Sequence, residues 1–278
     1  MAVTLNTNSA AYVALANLRS VQQALQVTEK RVSTGFITAD ALDNGAVFGV
    51  AQLTRGSIAG NTAVSQELGN FSGLVQVASA ASTQISNNLS DIRAVFSHLG
   101  NQNLSADERS QYHTQLQSLV SSIGNFIKGA QYGATNLLSN ATTISLLADH
   151  QNGNTISISG NSYNISSPYV VLNDLASPVT ALTATVSQDW LNTSFGSVSS
   201  SVSTVLNFVG SLNRSLETQL NFNSNVRSAL NNALGSLVDA DLAAESANLT
   251  ALQVKQSLST QALSIANEGP SSLLRLFQ

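Results

Sequence analysis

Apolar side chains recur along this chain in alternating steps of three and four residues. Ala11, Ala14, Leu18, Val21, Leu25, Thr28 and Val32 keep that spacing without a break. So do Val64, Leu68, Phe71, Val75, Ala78, Ser82, Ile85, Leu89, Ile92, Phe96 and Leu99. An α-helix repeats its faces on this period, so the second run predicts a helix of about five heptads with one apolar seam. The pattern stops between Asn101 and Ser105. Ser105-Ala-Asp-Glu108 then reads as a capping box, which predicts a new helix carrying Tyr112, Leu116, Leu119, Ile123 and Phe126. The short connection predicts an antiparallel pair, about residues 60–100 packed on about 106–128.

The middle of the chain changes period. Ile156 and Ile158 alternate with polar residues, Gly160-Asn161 is a turn signal, and Tyr163 and Ile165 alternate again. This predicts a β-hairpin about that turn. The stretch from Pro168 to Gly196 is rich in Ser, Thr and Asp, and reads as loop with short strand. Helical spacing then returns in Val198, Val202, Val205, Val209, Leu212, Leu216, Val226, Leu230 and Leu237. From Leu242 onward one helix carries two apolar stripes. Leu249, Leu252, Leu263 and Ala266 form one; Ala251, Val254, Leu258, Ala262 and Ile265 form the other. Two stripes on a segment whose only charge from Ser246 to Asn267 is Lys255 predict a helix covered on most sides. Proline in a helix interior costs about 3 kcal/mol, and the three prolines (Pro168, Pro178, Pro270) leave both flanks free for long helices.

The expected fold is therefore mainly α: a long antiparallel coiled-coil-like helical rod with a small central β-hairpin region. Five segments follow: a terminal helix and linker (1–44), two helices (45–140), the hairpin and loop region (141–197), a returning helix (198–236) and a last helix (237–278). The two terminal helices can pair with each other.

Composition narrows what such a chain can do. Only 9% of its 278 residues are charged, against roughly 25% in ordinary soluble domains, while 43% are hydrophobic. Uncharged polar surface of this kind can be wet in a monomer and dry in an assembly without burying unpaired charge. A net charge of -4 leaves no basic excess for a nucleic-acid groove. The absence of cysteine excludes disulfides and thiolate sites. No run reaches the roughly 18–20 apolar residues of a membrane span, so no membrane insertion is expected. The first residues have neither the basic start nor the apolar core of a secretory signal.

No catalytic set emerges. His98, His113 and His150 lie on separate segments and read as surface or helix-edge residues. Asp239 and Asp241, and likewise Asp40 and Asp43, read as helix-start carboxylates that favour the dipole. There is no phosphate loop and no nucleophile elbow. Catalytic, cofactor-binding and metal-ligating residues are all expected to be none.

The two ends carry a more specific signal. Asn6-Thr-Asn8-Ser-Ala-Ala11, followed by Leu18, Leu25 and Arg31-Val-Ser-Thr-Gly35, resembles the N-terminal signature of the bacterial flagellins. Ala41-Leu-Asp43-Asn-Gly-Ala46 resembles their Ala-Lys-Asp-Asp-x-Ala segment, with Leu42 in place of the lysine. Gln131-Tyr-Gly-Ala-Thr-Asn-Leu-Leu138 is similar to their Phe-Asn-Gly-x-x-Leu-Leu element. Val238-Asp-Ala-Asp241-Leu-Ala-Ala-Glu245-Ser, Leu249-Thr-Ala-Leu-Gln253-Val, Ala266-Asn267 and Ser272-Leu273-Leu274 match at the far end. The resemblance covers about residues 1–138 and 200–278.

It implies a structural subunit, not an enzyme, that self-assembles into the bacterial flagellar filament for motility, in a short form with little or no outer domain. A hook–filament junction protein shares the plan and is the alternative. An intracellular coiled-coil adaptor is a weaker one, because the dense charge pairs of such rods are missing. The implied partners are copies of the same chain, the flagellar export apparatus and an export chaperone, and filament cap and junction proteins. The implied location is the extracellular flagellum, reached without a cleaved signal peptide. The filament interface is expected at Leu18, Val21, Leu25, Val32, Leu249, Leu252, Val254, Leu258, Leu263 and Ile265. Many members of the family are sensed by a host Toll-like receptor through a Leu-x-Arg-x-Arg-Glu-Leu pattern on the first long helix. The aligned stretch here starts at Leu89. Arg93 fits, but Asp91 replaces the first arginine and Ala94 the glutamate, so the resemblance implies weak receptor binding.

Overall fold

The computed structural model describes all residues except 1–6, 134, 140–142, 150–152, 159–164, 166–168, 171, 175–182 and 277–278, and residues 269–276 by backbone only. Five long helices dominate: α1 (Ser9–Thr34), α2 (Ala41–Leu99), α3 (Ala106–Gly129), α4 (Ala184–Val238) and α5 (Leu242–Leu276). Four short strands lie between α3 and α4: β1 (Gln131–Tyr132), β2 (Thr135–Asn136), β3 (Ile144–Leu147) and β4 (Thr155–Ile158). The mainly α fold with a small antiparallel β region is the one that the hydrophobic periods predict.

The chain divides into two compact units, residues 1–58 with 229–278, and residues 59–228. The second contains the main core. The α2 seam from Val64 to Leu99 is buried along its length, and Leu68, Ile92, Phe96 and Leu99 have no exposed surface. Leu116, Val120, Ile123 and Ile127 of α3 and Val198, Val202, Val205, Val209, Leu212 and Leu216 of α4 complete it. The Ser105–Glu108 capping box forms, with Ser105 Oγ accepting from the Glu108 amide and the Glu108 carboxylate accepting from the Ser105 amide at 2.9 Å. Arg109 of the same turn donates to Leu99 O at 2.8 Å, closing the α2–α3 connection.

Three expectations change. The strand holding Ile156 and Ile158 exists, but its partner precedes it: Ile144 pairs with Ile158 and Leu147 with Thr155. The Gly160-Asn161 turn and Tyr163 lie outside the described residues. Alternation identifies a strand without naming its partner, and Gly153, with φ 65°, lies in the connection between β3 and β4. Gln219 and the buried Asn223 both donate to Ala148 O, at 2.9 and 3.3 Å, fastening this hairpin to α4.

The second change is the start of α4 at Ala184, fourteen residues before Val198, where helical spacing was expected to return. Thr183 accepts from the Val186 amide as the cap. Ala184, Ser187 and Trp190 then continue the seam backward from Val198. Serine within that seam disguised it; Ser187 is fully buried because its hydroxyl donates to Thr183 O at 2.9 Å. Trp190 stacks on Phe96 with ring centroids 4.0 Å apart, and Phe195 meets Trp190 edge-on. Third, His113 is buried rather than a surface residue, and neither ring nitrogen has a partner within the chain. Burial pushes its imidazole below the ordinary pKa of 6.5. His98 is exposed and stacks on Tyr112; His150 is outside the described residues.

Candidate assembly surface

The unit formed by the two chain ends is built on the antiparallel pair of α1 and α5. Its register is set at both ends by polar groups. Asn8 caps α1, its Oδ1 accepting from the Ala11 amide at 3.1 Å, and its Nδ2 donates to Ala266 O of α5 at 2.7 Å. At the other end Arg31 and Glu245 form an ion pair at 3.0 Å. Gly35, with φ 74°, ends α1 in the left-handed region where a side chain would be strained, and its amide donates to Arg31 O. The chain then pairs by one bridge, Phe36 with Asp239. Ile37 donates to Val238 O and Ala240 to Gly35 O.

The turn into α2 is held by charge. Lys30 Nζ lies 2.7 Å from carboxylate oxygens of both Asp40 and Asp43. Each carboxylate also caps backbone: Asp40 accepts from the Leu42 amide, Asp43 from that of Ala39. The Lys30 ammonium beside them holds both aspartates below the ordinary carboxylate range, and the carboxylates raise the lysine above its own. Asn44 sits at an extended break in α2, and its Oδ1 caps the Val47 amide. Asp241 caps α5 through the amides of Ala243 and Ala244. The helix-start reading of Asp40, Asp43 and Asp241 is the one the geometry supports; Asp239 instead sits in the bridge.

The ten residues named as interface fall into two groups. Leu18, Val21, Leu25 and Val32 are half-buried on the α1 side of the pair, and Leu249, Leu252 and Leu263 are half-buried on α5. Gln256 and Ser259 continue that α5 stripe at the same spacing, so its middle is polar, which an apolar template overlooks. Only Thr28 on α1 is fully buried. Val254, Leu258 and Ile265 point away, 55%, 57% and 69% exposed. Ile265 also borders an open groove of about 670 Å³, lined further by Ser9, Ala10, Val13, Ala14 and Asn17 of α1 and Ala262 and Ala266 of α5. No charged residue lines it. Sequence reading had no signal for the Arg31–Glu245 pair or for Asn8 donating across to Ala266, because both join positions more than 200 residues apart.

Of the receptor-like stretch, Leu89 is buried, whereas Asp91, Arg93 and Ala94 are exposed. The Arg93 guanidinium lies 5.3 Å from the Phe195 ring centroid. Among the described residues no group of three or more His, Cys, Asp or Glu is placed to hold a metal ion, and no helix is long and apolar enough to cross a membrane.

Residues 5–143 match the family model of the bacterial flagellin N-terminal helical region, and residues 179–277 that of the bacterial flagellin C-terminal helical region. The chain is 30% identical to a flagellin of Brucella melitensis, over 98% of each chain. It is 31% identical to flagellin FljK of Caulobacter vibrioides, over 99% of this chain and 98% of that one. With flagellin C of Rhizobium meliloti it shares 26% identity over 98% of both. All three alignments run end to end.

Proposed function

The chain belongs to the bacterial flagellin family and is a structural subunit of the flagellar filament, and on that footing we propose that its terminal segments, 1–44 and 237–278, build the inner layer of the polymer. The supporting observation is the outward stripe of α5. Val254, Leu258 and Ile265 are more than half exposed, on a stretch whose only charge from Ser246 to Asn267 is Lys255. Burying such side chains gives about 1.5–3 kcal/mol each when they are fully covered. Nothing in a two-helix pair can cover both stripes of α5, so neighbouring copies do so. Leu18, Val21, Leu25, Val32, Leu249, Leu252 and Leu263 hold the pair together and present that stripe.

The subunit acts in the extracellular flagellum. Export apparatus, chaperone, cap and junction proteins are its further partners; it uses no cofactor and catalyses no reaction. Host recognition is weak. Leu89 is spent on the chain's own core, Arg93 is engaged by Phe195, and Asp91 and Ala94 lack the charges the receptor pattern carries. Salt-induced assembly of purified protein followed by negative-stain microscopy tests the central reading. Long filaments are expected; short rings would point to a junction protein instead. A reporter-cell assay tests the receptor reading: Asp91→Arg with Ala94→Glu should raise activation by monomer, and potent activation by the unaltered chain would refute it.

A further inference from the structure

Glycine is a poor residue for a helix interior, because it has more backbone freedom to lose than alanine. Most glycines of the long helices have open space beside them: a Cβ at Gly56 or Gly69 of α2, or at Gly196 or Gly210 of α4, would meet no neighbouring atom within 4 Å. Gly124 of α3 differs. A Cβ there would lie 2.5 Å from Tyr169 Oη and 2.9 Å from Tyr169 Cζ, far inside van der Waals contact. The phenol ring rests directly on the α3 backbone, and Gly124 is buried although it has no side chain to bury. No positive φ calls for glycine at this position; the ring does. Tyr169 is held in place from its own side of the chain as well. Asn136 Nδ2 donates to Ile127 O of α3 at 2.6 Å. The Ile165 amide donates to Leu138 O at 3.0 Å, and the Tyr169 amide to Ile165 O at 3.1 Å. This series of contacts leaves α3 at Ile127 and returns to it at Gly124, about one helical turn away.

We propose that Gly124 and Tyr169 form a latch, an aromatic ring seated on bare helix backbone, which decides whether the chain around Tyr169 lies closed on α3 or comes away from it. Ile165 and Leu172, on either side of Tyr169, are 1% and 3% exposed and belong to the core that the ring packs against. Releasing the ring draws on both, so this part of the chain opens as one cooperative unit and exposes apolar surface when it does. Glycine at 124 costs the helix some stability and makes the seat possible, since any side chain there would occupy the place of the ring. The latch lies within the 59–228 unit of a single chain and is independent of polymerisation.

The test is a reversal of sign between matched substitutions in the full-length monomer. Gly69→Ala, at an open position of α2, should raise the urea midpoint, because alanine is the better helix former. Gly124→Ala should lower it. Chymotrypsin should then cut after Tyr169 about tenfold faster or more, since a methyl forced into close packing carries an overpacking penalty that populates the open form. In a chain that also carries Tyr169→Ala, the same Gly124→Ala change should raise the midpoint, because nothing then stands over the backbone. A Gly124→Ala chain as stable as the unaltered one, or more so, would overturn the latch. A loss of equal size with and without Tyr169 would overturn it too, because the methyl would then collide with something else. Should Gly124→Ala not fold by itself, Tyr169→Ala is compared with the Tyr169→Ala, Gly124→Ala double variant. A rise in midpoint supports a seat emptied of its ring, and a fall overturns it.

Discussion

The terminal helix pair and the 59–228 unit are written in the same hydrophobic code and reach different ends. Both carry apolar residues at strict three- and four-residue steps. In the larger unit, α2, α3 and α4 converge, and Leu68, Ile92, Phe96, Leu116 and Leu216 lose all their exposed surface. In the terminal unit Leu18, Val21 and Leu25 stop half-way, and α5 keeps a second apolar stripe in solvent. A helix has roughly one face for each neighbour. Three packed helices with a hairpin close a core, whereas two helices with three apolar faces between them do not. The same period thus encodes a closed core in one place and a helix pair that keeps apolar surface exposed in the other.

The largest effect that would break this contrast comes from charging the open stripe. Leu258→Asp should abolish filament growth and leave monomer unfolding in urea unchanged, because the side chain is exposed in the single chain and, on the proposed reading, covered in the polymer. Normal-length filaments from this variant would remove α5 from the interface. Next comes one kind of truncation made in both units. Phe96→Ala should destabilise the monomer by about 3–5 kcal/mol, losing a fully buried ring that stacks on Trp190. Leu25→Ala, in the half-buried seam, should cost the monomer about 1 kcal/mol or less and show itself in filament stability. Equal losses in monomer melts would mean that the terminal pair is as complete as the core. Ser105→Ala tests a local device: losing the α3 cap should cost about 1 kcal/mol.

The smallest expected effect is a difference in pH response. Burial disfavours the charged imidazole of His113 and lowers its pKa from 6.5. The unfolded chain binds a proton first as pH falls, so stability of the 59–228 unit should be full above 6.5 and decline as pH drops toward the folded value. The Asp40 and Asp43 pairs with Lys30 work on lower ground. Their pKa values are depressed from 3.8, so their contribution should persist through the histidine window and be lost only below 3.8. Calorimetry of His113→Leu should flatten the decline below pH 6.5; an unchanged profile would assign it to other groups.

Much of this molecule is legible before any coordinates. Heptad spacing identifies the seams of α1, α2 and α3, and Ser105 with Glu108 locates the start of α3, because capping depends on a few residues in sequence. The lower charge content and the doubled stripe of α5 already point to assembly, since a helix apolar on two faces cannot stay solvated. Where polar residues enter a seam the reading fails. Ser187 hid the first turns of α4, and Gln256 and Ser259 hid the middle of the α5 stripe, because a serine or glutamine is accepted in a seam only when the folded neighbours supply its hydrogen bonds or leave it partly wet. The partner of β4 was equally illegible, since alternation says which residues share a face and nothing about which strand lies alongside. Tertiary structure alone decided that Leu252 turns inward while Val254 turns out. It also decided that Arg31 meets Glu245, that His113 is buried, and that the groove opens at one end of the helix pair. Local periodicity depends on the geometry of one helix, and that is written in its own residues. These other outcomes depend on which helix arrives opposite, and that is settled only when distant parts of the chain have packed.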